Sequence, residues 1–250
     1  MCATMASGNG GAGMDGIITI GAVVALLLAA GGAIGLAGRR RFAPRWLLVA
    51  AGLVLVNDAL LTRGYGLVLD VLGGEWNWQG KLLALVATLA VAALPACGWR
   101  AAGLTWRQAP GSLVRCAPVM LAYAAFFLAI ALAFPPDPPT RETVAFQLTM
   151  PGLEEEAFYR GLLLLALDRA FTARVRFLGV DWGWGALLSC ALFGLAHAFG
   201  HGDEGFTFDA ITMALTAVPA LLAVWLRYRT GSILLPVVLH NAGNAIGYLV

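Results

Sequence analysis

Three groups of ionisable and amide side chains lie within otherwise apolar runs of the sequence. The groups are Glu154, Glu155, Glu156 and Arg160 in PGLEEEAFYRGLLLLAL, His197 in ALFGLAHAFGHG, and His240 with Asn244 in GSILLPVVLHNAGNAIG. A carboxylate and an imidazole can activate water, while an imidazole and an amide aimed at one point can stabilise an oxyanion. These residue types therefore predict hydrolysis of an amide bond by activated water.

The spacing within these groups matches a helix. Glu156 and Arg160 are four residues apart, as are His240 and Asn244, so the members of each pair share a helix face. An ion pair between Glu156 and Arg160 would lower the cost of burying both charges. Glu155 then has no obvious partner, although it lies ~16 Å along its helix, near the middle of a bilayer. Because an unpaired charge there costs several kcal/mol, a chemical role is predicted for Glu155.

Each group also has a structural interpretation. Pro151 and Gly152 can begin a new helix, whose first turn favours acidic side chains. A single histidine in an apolar helix is more often hydrogen-bonded than catalytic. A covalent acyl-enzyme is not favoured, because the sequence has no GxSxG elbow and no cysteine beside a histidine.

A metal-dependent site is an alternative. His201 follows His197 by four residues, a spacing with which two imidazoles can bind zinc on one helix face. However, the sequence contains no HExxH motif. His201 is therefore expected to mark the end of its helix, and neither a metal nor another cofactor is expected. Asn57 and Asp58 lie outside the three groups and are expected to cap, gate or bind.

The composition indicates that these helices lie in a lipid bilayer. Of the 250 residues 60% are hydrophobic and 12% are charged, with a mean hydropathy of +0.80. Several apolar runs reach about 20 residues, the length that crosses ~30 Å of hydrocarbon. We predict an all-α fold, a polytopic transmembrane bundle of about eight helices, in the plasma or inner membrane if the source is bacterial. The predicted spans are 16–37, 46–61, 82–99, 118–134, 144–167, 182–199, 208–226 and 232–249.

These spans divide the chain into three parts. Residues 1–15 are predicted to be a disordered tail, residues 16–142 to form four transmembrane helices, and residues 143–250 to form a catalytic core of four more. All three groups of polar side chains lie in the last part, so the first four helices have no assigned chemistry.

The loops differ strongly in positive charge, which predicts the orientation. Alternate loops on one side hold only Arg63, Lys81 and Arg141. The loops on the other side hold twelve arginines, namely Arg39, Arg40, Arg41, Arg45, Arg100, Arg107, Arg115, Arg169, Arg174, Arg176, Arg227 and Arg229. Positively charged loops stay in the cytoplasm, so both termini are expected outside it.

The three groups resemble, in order, the motifs of the CPBP family of intramembrane proteases. This family includes the type II CAAX prenyl endopeptidase and bacterial relatives linked to bacteriocin processing or immunity. Its EExxxR motif is matched by Glu155, Glu156 and Arg160, its FxxxH motif by Phe193 and His197, and its HxxxN motif by His240 and Asn244. The resemblance covers roughly residues 145–250.

The resemblance implies a role for each matched residue. Glu155 would act with His197 to activate water, and His240 with Asn244 would bind the tetrahedral oxyanion. Glu156 and Arg160 would support these residues, and Phe193 would lie beside them. Two residues outside the motifs stand as further possible site residues, namely Glu154, which precedes the acidic pair, and His201.

The resemblance also implies the partners. The substrate would be a membrane-associated protein or peptide within the lipid bilayer, and no nucleic acid is expected. The main alternative to an enzyme is an immunity, transport or scaffold protein whose buried carboxylates bind a proton or an ion. A transporter built of inverted repeats should show internal symmetry, and we find no internal repeat.

Overall fold

The computed structural model describes residues 10–38, 41–64 and 72–250, and these residues are mainly helical. This confirms the all-α prediction. The helices are α1 (Gly10–Ala37), α2 (Pro44–Thr62), α3 (Trp78–Ala93), α4 (Ser112–Ala133), α5 (Arg141–Gln147), α6 (Met150–Glu155), a π-helical segment (Glu156–Leu163), α7 (Leu164–Ala170), α8 (Trp184–Ala198), α9 (Ala210–Thr230), α10 (Leu234–Ala245) and a 3₁₀ turn (Ile246–Tyr248).

Two short antiparallel hairpins interrupt the helices, and the sequence did not predict them. The first joins β1 (Val175–Phe177) to β2 (Val180–Trp182), and the second joins β3 (Phe199–Gly202) to β4 (Gly205–Phe208). The turn of the first hairpin is two residues, Leu178 and Gly179, with φ values of 50° and 77°. Positive φ at both central positions is the conformation that tight hairpins require.

Several predicted boundaries are wrong. Helix α1 begins at Gly10, so residues 10–15 of the predicted tail are helical, while residues 1–9 lie outside the described part. Helix α3 begins four residues earlier and ends six residues earlier than the predicted span 82–99. Leu94 is extended there because Pro95 follows it, and a residue before proline avoids the helical conformation. The predicted span 144–167 is divided into α5, α6, the π-helical segment and α7.

Four helices are long and apolar enough to cross a membrane. They are 13–37 within α1, and then α2, α4 and α9, while α3 and α8 are shorter apolar helices. Together with the composition, these helices identify an integral membrane protein. The number of crossings stays a prediction.

The described arginine-bearing loops come together at one end of the bundle. The Arg169 guanidinium donates to the carbonyl of Cys97 at 3.2 Å, and that of Arg227 donates to the carbonyl of Ala101 at 2.7 Å. The N–H of Ala43 donates to the carbonyl of Ala170 at 2.8 Å. Arg39 and Arg40 lie outside the described residues. The structure thus brings these loops together, while the side of the membrane on which they lie stays a prediction.

At the opposite end, Glu142 fixes the start of α3. Its carboxylate accepts hydrogen bonds from the backbone N–H of Glu75 at 2.9 Å, the indole N–H of Trp78 at 3.0 Å and the backbone N–H of Trp76 at 3.2 Å. These donors stabilise the charged form and lower the pKa of Glu142. The start of α3 is therefore tied to α5, with Lys81 one helical turn further along α3.

Helices α5 and α6 are separated by a break that a residue of α10 repairs. The side-chain oxygen of Asn241 accepts from the backbone N–H of Gly152 at 2.8 Å, and its amide donates to the carbonyl of Thr149 at 3.2 Å. Backbone groups freed at a helix break need such partners in an apolar environment. Asn241 therefore fixes α10 against α6.

Candidate active site

The three consecutive glutamates lie where α6 ends and a π-helical segment begins. Glu154 and Glu155 end α6, and Glu156 begins the π-helical segment that runs to Leu163. Segments of π-helix are rare and often occur at functional sites. The ion pair predicted between Glu156 and Arg160 is present at 3.1 Å, and both side chains are almost fully buried. The guanidinium of Arg160 also lies 4.2 Å from the ring centroid of Phe193.

Lys81 of α3 pairs with Glu155, for which the sequence had indicated no partner. Its Nζ lies 2.5 Å from Glu155 Oε1 and 2.7 Å from Glu154 Oε2, and the Lys81 residue is only 7% exposed. The expectation that Glu155 has no partner is therefore wrong, as is the placement of Lys81 in a loop. The second oxygen of Glu155, Oε2, is buried and accepts no hydrogen bond from any described residue.

His240 lies between two of the carboxylates. Its Nδ1 is 2.7 Å from Glu156 Oε1, and its Nε2 is 3.6 Å from Glu155 Oε2. Glu156 Oε1 also pairs with the Arg160 guanidinium, and a carboxylate oxygen accepts hydrogen bonds, so Nδ1 of His240 is the donor to it. The ring is thereby fixed with Nε2 directed toward Glu155.

His197 is held by the backbone of its own helix. Its Nδ1 lies 2.8 Å from the carbonyl oxygen of Phe193, which can only accept a hydrogen bond. Nδ1 of a neutral His197 therefore carries the hydrogen, and Nε2 is left with a lone pair. The ring centroid of Phe193 is 4.6 Å from that of His197 and 5.9 Å from that of His240, so Phe193 packs against both imidazoles.

These side chains meet at one cavity of about 220 Å³. Its wall includes Glu155, His197, His240 and Asn244, together with Tyr123 of α4. The Asn244 amide makes no hydrogen bond with any residue that the structure describes. The three groups predicted from the sequence are thus brought together, and two proton acceptors and an unused amide face the same space.

The two further possible residues are not in this wall. Glu154 is completely buried, bound to Lys81 and close to Asn57 of α2. His201 lies on β3, where its Nδ1 is 2.7 Å from Asp15 Oδ1 of α1. A shared role of His197 and His201 as metal ligands is therefore not supported by their positions. Asp58, the second residue of the polar pair in α2, bonds to Arg63.

Sequence reasoning missed Lys81 and the function of Asn241 at the helix break. Lys81 carries a signal, because it is the only lysine in a chain with fifteen arginines and it is followed by the apolar run LLALVATLAVAA. A lone lysine at the start of such a run suggests a buried counter-ion. Nothing in the sequence pairs Asn241 with the backbone of Gly152, because 89 residues separate them.

Fold and site together define a helical integral membrane protein with a cluster of buried ionisable groups. Residues 141–246 match the model of the Rce1-like family, described as type II CAAX prenyl endopeptidase Rce1-like, so this segment of the chain is similar to that family. The resemblance stated from the three motifs is confirmed, because all three lie in the matched segment. At family level the match supports a CAAX-type intramembrane protease. No curated protein and no solved structure matches the chain.

The close approach of α6 and α10 leaves no room for a side chain at Gly152. A Cβ added there would overlap the side-chain oxygen of Asn241 and the carbonyl of Val237. We expect Gly152→Ala to lower the free energy of unfolding by about 1–3 kcal/mol, the usual cost of overpacking. Thermal unfolding in detergent measures this loss.

Gly21→Ala in α1 is the matched control. A Cβ at Gly21 would have no neighbour within 4 Å. Alanine is the better helix former by about 1 kcal/mol, so this variant should be at least as stable as the wild type. Equal stability of the Gly152 and Gly21 variants would show that the contact between α6 and α10 is loose.

Proposed function

We propose that this protein is an intramembrane endopeptidase in which Glu155 and His197 activate a water molecule and His240 and Asn244 stabilise the oxyanion. The observation that carries the proposal is the single cavity whose wall holds all four side chains. Glutamate, histidine and asparagine supply the base and the donors that amide hydrolysis needs without a covalent intermediate.

The water would lie between two proton acceptors. Glu155 Oε2 is free of hydrogen bonds to the described residues because Lys81 holds only the other oxygen. His197 presents Nε2 with its lone pair, because Nδ1 is used by the Phe193 carbonyl. Both acceptors border the cavity, so either can take a proton from a water placed between them.

The proposed oxyanion donor is a His240 ring that carries a hydrogen on both nitrogens. In this cluster the described buried side chains are three carboxylates and two cations, Lys81 and Arg160, which give a formal net charge of −1. A ring with both hydrogens is cationic and would bring this formal charge to zero. Because Nδ1 donates to Glu156, a protonated ring has one further hydrogen, on Nε2, available for an oxyanion.

The reaction then proceeds in two steps. The water oxygen forms a bond to the carbonyl carbon and gives its proton to Glu155 or His197, while the carbonyl oxygen gains the electron pair. His240 Nε2–H and the Asn244 amide donate to this oxyanion. When the carbon–nitrogen bond breaks, the proton held by the base passes to the leaving amine, which restores the site.

The cavity suggests how a substrate enters. Leu215 and Thr216 of its wall lie near the start of α9, and Gln147 lies at the end of α5, both remote from the arginine-rich end. A membrane-associated protein or peptide would therefore reach the site from the arginine-poor end of the bundle. The sequence of the substrate peptide would be selected by the contacts of its side chains with the cavity wall.

The test compares peptide termini in membranes that contain the wild type or His197→Ala. Terminal peptides produced by cleavage should be present with the wild type and depleted with His197→Ala, since the base and its partner both border the cavity. Mass spectrometry of labelled N-terminal peptides measures this directly. His201→Ala is the matched control, because His201 lies outside the cavity wall and should leave cleavage intact.

Two outcomes would contradict the proposal. Identical termini in wild type and His197→Ala membranes would favour a protein that binds without cutting. Loss of cleavage on chelation, with zinc present in the purified protein, would favour a zinc protease. Among the described residues no group of three or more His, Cys, Asp or Glu side chains is placed to hold a metal ion.

A further inference from the structure

A second pocket lies at the arginine-rich end, remote from the cavity. It has a volume of about 450 Å³ and is walled by the start of α4, the β1–β2 hairpin and the end of α9. We call it the arginine pocket, defined by Arg115, Arg174, Arg176 and Arg229. Along α9, 13 residues separate Thr216 of the cavity from Arg229 of the pocket, or about 20 Å of helix.

The arginine pocket has an excess of positive charge. Asp181, which pairs with Arg176 at 3.1 Å, is the one acidic residue in its wall. Arg174 pairs at 3.0 Å with Asp168, which lies outside the wall. Arg115 is exposed and has neither a hydrogen bond nor an ion pair within the described part of the chain. The wall therefore carries cationic charge that the described residues do not neutralise.

Further donors in the same wall are also unused. Ser112 is 3% exposed, and its hydroxyl finds no partner among the described residues. Buried Nε of Arg229 is likewise unpaired, although Nη1 of the same residue donates to the carbonyl of Gly179 at 2.8 Å. Helix α4 begins here at Ser112, and Gly111 before it provides no side-chain cap, so the positive end of the helix dipole faces the pocket. Such a set of donors suits an anion.

The surroundings of the pocket are apolar, although it lies at a charged end. Val175, Phe177 and Leu178 of the hairpin are 62–71% exposed, and Val114 in the first turn of α4 is 79% exposed. Indole N–H groups fix the hairpin, because Trp225 donates to the carbonyl of Leu178 at 2.9 Å. Indole rings prefer the headgroup region of a bilayer. Apolar side chains beside a cationic pocket at this depth would contact acyl chains.

We propose that the arginine pocket binds the phosphate of an anionic phospholipid from the arginine-rich side of the membrane. The phosphodiester would accept from Arg115, Ser112 and Arg229, while the acyl chains would lie along Val114 and the hairpin. A volume of about 450 Å³ is within the ~300–1,000 Å³ range of ligand pockets. General attraction of basic loops to anionic lipid would not require unpaired donors that converge on one pocket.

The experiment uses the full chain purified in a neutral detergent. Phosphatidylglycerol and phosphatidylcholine with identical acyl chains are titrated separately, and bound lipid is counted by native mass spectrometry. The wild type should bind phosphatidylglycerol more tightly. Arg115→Gln should weaken that binding about fivefold, the expected contribution of one arginine near a membrane surface. Folding should be unaffected, because the exposed Arg115 side chain makes no hydrogen bond or ion pair with the described residues.

Arg107→Gln is the matched control, since Arg107 is exposed in the same arginine-rich set of loops but outside the pocket. It should leave the affinity for phosphatidylglycerol unchanged. Equal weakening by both substitutions, or no weakening by Arg115→Gln, would overturn the proposal. Inorganic phosphate, compared with chloride at equal ionic strength, should not displace the lipid. Displacement would mean that the pocket takes free phosphate and would also overturn it.

Discussion

Replacing Glu155 by glutamine should lower the rate of cleavage by about 10³-fold while the protein stays folded. General-base catalysis contributes about 10²–10⁴-fold, and an amide cannot accept the proton of the attacking water. Glutamine keeps the shape of the side chain, and its carbonyl oxygen can still accept from Lys81. Cleavage is measured as the rate at which new peptide termini appear in membranes with equal amounts of each protein.

Glu154→Gln is the control for this experiment. Glu154 is the neighbouring residue, is bound by the same Lys81 and is completely buried, but it does not line the cavity. Glu154→Gln should therefore retain most of the activity. If Glu154→Gln abolished cleavage and Glu155→Gln did not, the register of the acidic motif would be shifted by one residue. Full activity in both variants would rule out the carboxylates as the base.

The candidate site was largely predictable because its main features are local in sequence. The four-residue spacing of Glu156 and Arg160 brings the two charges onto one helix face, and the pair is present. His240 and Asn244 share a face for the same reason, and both line the cavity. Because burying an unpaired charge is costly, these residues could be expected to lie close together in the fold. The sequence did not indicate which contacts would hold them there.

What could not be predicted depends on contacts between remote segments. The ion pair of Lys81 with Glu155 spans 74 residues, and the hydrogen bond of Asn241 with Gly152 spans 89. The hairpin turn at Leu178 requires a positive φ in a residue that rarely adopts it. The π-helical segment at Glu156 depends on packing that no four-residue spacing reveals. The four-residue spacings therefore identified the side chains of the candidate site. They did not identify the residues that position them, such as Lys81 and Asn241.

Lys81→Met should lower the free energy of unfolding by about 3–5 kcal/mol. Methionine fills a similar volume without charge, so Glu154 and Glu155 would stay buried beside each other with no cation between them. Removing one partner of a buried ion pair costs this much because the remaining charge is neither solvated nor paired. Chemical unfolding in detergent, followed by tryptophan fluorescence, measures the change.

Arg63→Met supplies a comparison with a more exposed pair. Arg63 bonds to Asp58 near the end of α2, where the two side chains are 33% and 24% exposed. Pairs that water can screen contribute about 0–1 kcal/mol, so this variant should lose much less stability than Lys81→Met. Equal losses in the two variants would mean that burial adds nothing to the contribution of Lys81.

Adding Glu154→Gln to Lys81→Met should recover at least half of the lost stability. With His240 counted as neutral, the single variant lowers the formal charge of the cluster from −1 to −2, and removing one carboxylate returns it to −1. An effect of methionine on packing alone would not be reversed by a change at Glu154. Recovery in the double variant would therefore show that Lys81 acts as the counter-ion that lets two carboxylates lie side by side in the bundle, one of them free to face the cavity.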